Sequence, residues 1–248
     1  MIDMKIIDIH SHIGYCRVFD LEVSEETLIK AMNENNIQVS IVQPFPGAPN
    51  PIETHDLIEK LSRKYPKRIY GLISLNPHVE EDLYMKNVEK YIKLGFVGIK
   101  VHTIGHAIHP LVKDAEKIWI AAKKFKVPLM VHSGLGIPFA LPSNVVPRAE
   151  EYPEVPIILA HAGFGFYSGE ALLLAKKYEN IYLETSWTSN LDLLPMVQSV
   201  PDKVLFGSDT PENISVELSK IKSLNLSEKV LQQILHDNAL KLFKKIII

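Results

Sequence analysis

The stretch KIIDIHSHIG, residues 5–14, begins like a buried β-strand and ends with two histidines one residue apart. Strands that are buried on both faces normally read as runs of Val, Ile and Leu, so polar residues within such a run need a chemical reason. Because side chains alternate across a strand, His10 and His12 should share one face. Asp8 should lie one step deeper on that face, with its two flanking isoleucines turned toward a helix layer. Two imidazoles side by side suit a divalent metal.

Seven more short apolar runs follow, and amphipathic segments alternate with them along the chain. Ser24 is a plausible N-cap of the first amphipathic segment, and Gly95 lies where a helix would end. Eight strand–helix alternations in 248 residues predict an α/β fold of the (β/α)₈ TIM-barrel type, organised as one domain over residues 1–248. The predicted strands are Lys5–His12, Val39–Phe45, Ile69–Leu75, Val97–His102, Pro128–Gly134, Pro156–Gly163, Ile181–Trp187 and Val204–Asp209.

Polar residues recur at the carboxyl ends of these strands, where the active sites of barrel enzymes lie. The strand ends read GIKVH, MVHSG, LAHAG and FGSDTP. They contribute Lys100, His102, His132, His161 and Asp209. We therefore expect these side chains to converge with the two histidines of the first strand.

Imidazole and carboxylate together suit one divalent ion, with Zn²⁺ as the first choice and Mn²⁺, Fe²⁺, Co²⁺ or Ni²⁺ as alternatives. A bound zinc lowers the pKa of its water to about 7, which makes hydroxide available at neutral pH. An aspartate that touches both metal and water can take the proton and pass it to a leaving group. Asp209 is the candidate for that proton transfer.

The composition is that of an ordinary globular protein, with 46% hydrophobic and 23% charged residues and a net charge of −2. This balance argues against nucleic-acid binding, which usually needs a basic surface, and favours a small-molecule substrate. No apolar run approaches the ~20 residues of a membrane span. Lys5 and Asp8 interrupt any signal-peptide core, and the single cysteine, Cys16, excludes an internal disulfide, so we expect a cytoplasmic protein.

With these motifs in chain order, the sequence resembles the amidohydrolase superfamily. It is similar to the amidohydrolase-related branch that includes aminocarboxymuconate-semialdehyde decarboxylase, whose usual ending resembles ILHDNALKLF, residues 234–243. The resemblance implies the following metal ligands: His10, His12, His132 and Asp209. It also implies that Asp209 carries the proton and that His161 stands just off the metal, where it orients water or polarises a carbonyl. A homodimer or larger homo-oligomer is the assembly implied.

Lys100 and His102 are predicted to contact substrate. In binuclear amidohydrolases a lysine at the end of the fourth strand is carboxylated and bridges two metals, but we expect a single ion here. Lys100 would then be a cation for a substrate carboxylate or the partner of Glu184. Phe164, Phe166 and Trp187 follow strands six and seven and could form pocket walls.

The main functional expectation is a metal-dependent hydrolase that acts on a small amide, ester or lactone. The alternative is a non-oxidative decarboxylase of an unsaturated or aromatic carboxylic acid, which would use the same metal and the same Asp–His pair. A third reading is a barrel that binds a metal or ligand without turnover. A metal-dependent deoxyribonuclease fits less well, since that family has a glutamate where Lys100 stands, and a metal-free lactonase of the amidohydrolase fold stays open.

Overall fold

Eight parallel strands form the centre of the computed structural model, which describes residues 4–136 and 138–248. Each strand pairs in parallel with the next barrel strand in chain order, and the chain crosses between them through a helix. The strands are β1 (Ile6–Cys16), β3 (Ile37–Pro44), β4 (Ile69–Ile73), β5 (Gly98–Val101), β6 (Leu129–His132), β7 (Ile157–Ala160), β8 (Ile181–Glu184) and β9 (Val204–Leu205). Each of the eight predicted strands is found, most of them shorter than predicted.

The sheet closes on itself between β1 and the segment that follows β9. The backbone N–H of Ile9 donates to the Phe206 carbonyl at 3.1 Å, and the N–H of His12 donates to the Asp209 carbonyl at 3.0 Å. In the other direction, the N–H of Asp209 donates to the His10 carbonyl at 2.7 Å. This closure confirms the predicted (β/α)₈ barrel, and it brings the first and last predicted site segments into direct contact.

A helix follows each barrel strand and covers the outside of the sheet. These helices are α1 (Glu25–Glu34), α2 (Pro51–Lys64), α3 (Glu81–Lys93), α4 (Lys113–Phe125), α5 (Val146–Glu151), α6 (Ser168–Lys177), α7 (Asn190–Ser199) and α8 (Ile214–Ser223). Ser24 caps α1, because its hydroxyl accepts from the N–H of Thr27 at 3.1 Å. Within the two described stretches of chain, none of the helices is long and apolar enough to cross a membrane.

The first strand runs further than predicted. Beyond the barrel it continues to Cys16 and pairs antiparallel with a short strand, β2 (Leu21–Val23). Gly14 faces Val23 in this pairing and has a φ of +88°, a conformation that favours glycine. The result is a small hairpin that extends above the barrel mouth next to the end of β1.

Two hydrophobic layers hold the barrel together. The outer layer lies between sheet and helices, and includes Ile99, Leu129 and Trp119. The inner layer fills the barrel, and its base is closed by the C-terminal helix α10 (Asn238–Leu242). A π-helical turn joins α10 to the preceding helix α9 (Glu228–Gln232). Phe243, just after α10, belongs to the inner layer. The polar side chains at the mouth of the barrel therefore lie above an apolar core.

One expectation about β1 is wrong. Ile7 and Ile9 do not face the helices but pack in the inner layer with Met130 and Leu205. The register between β1 and β3 shifts between Asp8 and Ser11, so the strict alternation of side chains is interrupted there. Because of this irregularity, the histidines of β1 can face the interior as well.

Candidate metal centre

His10, His12 and Asp209 meet at the barrel mouth, as predicted. Nε2 of His10 lies 3.2 Å from Oδ1 of Asp209, and Nε2 of His12 lies 3.4 Å from the same oxygen. The possible ligand atoms of the three residues all fall within 4.8 Å of one another. Residues from the two ends of the chain thus form one compact set of donors.

The hydrogen bonds of the two histidines determine which ring nitrogens are free. Nδ1 of His10 donates to Oε2 of Glu184 at 2.8 Å, and Nδ1 of His12 donates to the Pro44 carbonyl at 3.0 Å. Each ring, in its neutral form, therefore has its lone pair on Nε2, the atom that faces Asp209.

Burial lowers the pKa of His12, so this ring is neutral at pH 7. Its Nε2 lone pair and the Asp209 carboxylate are both acceptors, and they face each other without a proton between them. A divalent cation between these acceptors would bind their lone pairs. Imidazole together with carboxylate is a fitting ligand set for such an ion. The side chains present therefore fit a divalent metal.

Glu184 supports this centre from behind. Besides the His10 ring, its carboxylate accepts from the backbone N–H of His161 at 3.0 Å and from the Ser186 hydroxyl at 2.9 Å. Burial would raise the pKa of this carboxyl, but the hydrogen bonds that it accepts from His10 and from the backbone N–H of Ser186 outweigh burial and hold the pKa at about 2. Glu184 also forms a close group with His10 and His161. Since its oxygens already accept several hydrogen bonds, we assign it to orienting the histidines.

His161 lies beside the centre in a strained turn. Its φ is +64°, and its ring centroid is 5.1 Å from that of His10. Ser186 gives its own hydroxyl proton to Glu184, so it accepts from Nδ1 of His161 at 2.8 Å. Burial lowers the pKa of His161 to about 4, which keeps the ring neutral with its Nε2 lone pair free.

His132 lies outside the two tight donor groups that the described residues form. Its ring stacks on His102 at 3.9 Å and meets the edge of His161 at 5.0 Å. Nε2 donates to the Leu135 carbonyl at 3.3 Å, whereas Nδ1 is buried with no hydrogen-bond partner among the described residues. The ligand role of His132 stays a prediction, and this buried, unpartnered nitrogen favours it.

Lys100 projects into the donor cluster. It is 2% exposed, and its Nζ donates to Nε2 of His10 at 3.1 Å. Burial lowers its pKa to about 8, against the attraction of Asp209 and Glu184. His102 is half-buried, and its Nδ1 accepts from the N–H of Gly105 at 3.0 Å, so it also orders the loop after β5.

Two side chains that the sequence did not point to, and one that it predicted only as a pocket wall, lie at the centre. Gln43 donates from its amide to Nε2 of His12 at 3.2 Å, while its buried Oε1 has no partner among the described residues. Ser186 links His161 to Glu184, and Trp187 contacts Asp209. All three lie at or just after the end of a barrel strand, and this position was the signal in the sequence that could have indicated a role in the site. Neither the serine nor the glutamine belongs to a motif of recognisable spacing.

A model of the amidohydrolase family matches residues 46–245, which is more than half of the chain. The chain belongs to the amidohydrolase family. The resemblance inferred from the motifs is thereby confirmed. No curated protein sequence matches this amidohydrolase.

Solved structures of similar fold include several decarboxylases. A 2,6-dihydroxybenzoate decarboxylase from Rhizobium has a TM-score of 0.78 at 18% identity, over 97% of this chain and 99% of the other. A dihydroxybenzoic acid decarboxylase from Polaromonas sp. JS666, with bound manganese and the inhibitor 2-nitroresorcinol, has a TM-score of 0.74 at 19% identity, over 97% of each chain. A 5-carboxyvanillate decarboxylase from Sphingomonas paucimobilis has a TM-score of 0.76 at 14% identity, over 97% and 99%.

These comparisons overturn one expectation. The three similar structures are decarboxylases of aromatic acids, so the prediction of a hydrolase as the main reading is wrong. The motifs could not separate the two reactions, because both would use the same metal donors at the same barrel mouth. The expectation of an enzyme with a divalent-metal site is confirmed.

Proposed function

We propose that this amidohydrolase is a metal-dependent, non-oxidative decarboxylase of small aromatic carboxylic acids. The observation that carries the proposal is a set of metal donors and a buried lysine at the mouth of a barrel shaped like those of aromatic-acid decarboxylases. A carboxylate substrate explains both parts, because a metal and an ammonium group can bind its oxygens together.

His10, His12 and Asp209 would hold the metal, with His132 as a further ligand through its unpartnered Nδ1. When bound, a divalent ion supplies positive charge that orients and polarises the oxygens of the substrate. Zn²⁺ suits this mixed imidazole–carboxylate set, and the manganese of the Polaromonas enzyme makes Mn²⁺ the second candidate.

Lys100 would bind the substrate carboxylate. Its pKa of about 8 leaves the ammonium form dominant at pH 7, in a site where burial strengthens its attraction for an anion. His102 lies on the same side of the barrel through its stack with His132 and would contact the substrate ring. Both roles agree with the expectations from sequence.

The reaction replaces a carboxylate by a proton. The ring carbon that bears the carboxylate accepts a proton, the bond to the carboxyl carbon breaks, and its electron pair returns to the ring as CO₂ leaves. Asp209 would carry that proton, since one of its oxygens faces the metal donors. His161, neutral and held by Ser186, would orient the substrate beside it.

A cavity lies beside the centre, lined by residues other than the metal donors, Lys100 and His102. It has a volume of about 370 Å³, and its lining includes Phe45, Asn76 and His106. The Phe45 ring stacks on His12 at 4.7 Å, so the cavity adjoins the donor set. This volume is in the usual range for small-molecule sites.

The test is product analysis with the metal-loaded protein. We expect CO₂ and the matching phenol from 2,6-dihydroxybenzoate or 5-carboxyvanillate, and no turnover of simple amides, esters or lactones. Asp209→Asn should abolish CO₂ release, whereas Asp202→Asn, at an exposed carboxylate before β9, should leave it unchanged. Acyl cleavage without CO₂, or CO₂ release that survives Asp209→Asn, would contradict the proposal.

A further inference from the structure

Trp187, three residues beyond the end of β8, holds the second oxygen of Asp209. Its indole N–H donates to Oδ2 of Asp209 at 2.8 Å. The other oxygen, Oδ1, faces the ring nitrogens of His10 and His12. The two oxygens of this carboxylate are therefore divided between the indole and the metal donors.

The backbone keeps Trp187 in this place at a conformational cost. Its φ is +59°, in the left-handed region that a bulky residue rarely adopts. Its backbone N–H donates to Oε1 of the buried Glu217 at 3.0 Å. Asn213 and Lys220 also bind that carboxylate, so the anchor is itself fixed. Such strain persists where the surroundings enforce it, commonly at functional sites.

The indole ring of Trp187 also packs against the aromatic side chains beside the site. It stacks on Phe164 at 6.2 Å with 22° between the planes, and Phe164 meets the edge of His161 at 5.6 Å. Trp187 is nevertheless 47% exposed, so its other surface is open to the barrel mouth. Packing alone does not account for a half-exposed tryptophan in a left-handed turn.

We propose that Trp187 is a positioning residue: its indole N–H turns the Asp209 carboxylate so that a single oxygen reaches the metal. A carboxylate without this partner could rotate and offer either oxygen or both. Held as it is, Asp209 keeps a fixed direction toward His10 and His12. The inference rests on the metal centre of the proposed function but not on decarboxylation.

Metal binding by variants tests this role directly. Trp187→Phe keeps an aromatic ring beside Phe164 but removes the N–H donor. We expect its dissociation constant for Mn²⁺, measured from the electron paramagnetic resonance of free Mn²⁺, to rise about tenfold. Phe164→Leu, which removes the stack and leaves the N–H, should bind Mn²⁺ within about twofold of the parent. Thermal unfolding of the metal-free proteins checks that each variant is folded.

A second measurement needs no variant. The chain has two tryptophans, and Trp119 is buried with its own N–H bound to the Pro110 carbonyl. Mn²⁺ should therefore quench the exposed part of the tryptophan emission in the parent, with the same midpoint as the resonance titration. Unchanged emission on saturation with Mn²⁺ would overturn the inference.

Two other results would also overturn it. Equal Mn²⁺ affinity in the parent and in Trp187→Phe would mean that the hydrogen bond does not position Asp209. An equal loss in Phe164→Leu would mean that packing of the aromatic pair, not the N–H, is what matters. If the parent itself bound no Mn²⁺, both the proposed metal centre and this inference would be wrong. If the parent bound Mn²⁺ but released no CO₂, only the proposed decarboxylation would be wrong.

Discussion

His161 is a side chain that we propose to lie beside the metal without binding it. Its Nδ1 is bound by Ser186, and its backbone N–H is bound by Glu184. Burial keeps the ring neutral, so its free Nε2 can accept a hydrogen bond from a substrate, as we propose.

For His161→Asn we expect the metal content, measured by elemental analysis, to stay at the parent level. Turnover of the preferred aromatic acid should fall by about 10²-fold or more, because an oriented imidazole typically contributes that much. Asp209→Asn is the comparison, and it should lower metal content and turnover together. Full turnover in His161→Asn, or loss of its metal, would contradict this assignment.

At the level of secondary structure, the irregularity in β1 matters most for the site. A period of two along residues 6–13 puts Ile7 and Ile9 opposite the histidines, but the register shift between Asp8 and Ser11 turns both sets inward. Asp8 accepts hydrogen bonds from the N–H and the hydroxyl of Ser208, which join the irregular segment of β1 to the loop after the last strand. A bulge depends on such cross-strand partners, so the local pattern of residues could not predict it.

Helix α2 is joined to the end of β4 by His55. The ring is fully buried: Nδ1 donates to the Pro51 carbonyl, and Nε2 accepts from the N–H of Ser74 at 2.9 Å. It also stacks on Tyr91 at 4.8 Å. Burial lowers its pKa from 6.5 to about 4, so the ring is neutral in the fold.

This buried histidine predicts a specific loss of stability in acid. Between pH 6.5 and 4 the unfolded chain binds a proton at His55 that the folded chain does not. Stability is therefore complete above pH 6.5 and falls as the pH drops toward 4, by up to about 3 kcal/mol from this residue. Burial also lowers the pKa of His106 and of His161, so these residues reduce the stability in acid as well. The contribution of His55 must therefore be measured by comparing the parent with a His55 variant.

Urea unfolding at pH 7 and pH 5 gives that comparison. His55→Gln should be less stable than the parent at pH 7, because its buried contacts are lost, but it should lose less stability between the two pH values. Equal losses in parent and variant would mean that His55 does not titrate as its burial indicates.

In the molecule as a whole, the residues that stabilise the fold and the residues of the candidate site lie at opposite ends of the barrel. The C-terminal segment closes the base, where Phe243 packs in the inner layer, and the polar side chains collect at the mouth. This is the usual division of a (β/α)₈ barrel.

Phe243→Ala should therefore reduce the free energy of unfolding by about 3–5 kcal/mol through the cavity that it leaves. The folded variant should keep its Mn²⁺ affinity. Phe166→Ala is the control, because this ring is 81% exposed at the mouth and its removal should scarcely change stability. A large loss of Mn²⁺ affinity in folded Phe243→Ala would show that base and mouth are not independent.

The sequence by itself determined the eight strand–helix alternations and the strand ends at which polar residues collect. Hydrophobic periodicity is a local property, so it can be read without knowing which residues meet. From it and the barrel rule, the meeting of His10, His12 and Asp209 could be predicted, and their atoms do converge.

Only the tertiary structure decided how these side chains are held. Glu184 binds His10 across 174 positions of chain, and Trp187 reaches Asp209 across 22. Which ring nitrogen keeps a lone pair, and which oxygen of Asp209 faces the histidines, depends on these partners. Hydrogen bonds act over about 3 Å, so they are specified by where the closed barrel brings distant residues together, not by the residues taken one at a time.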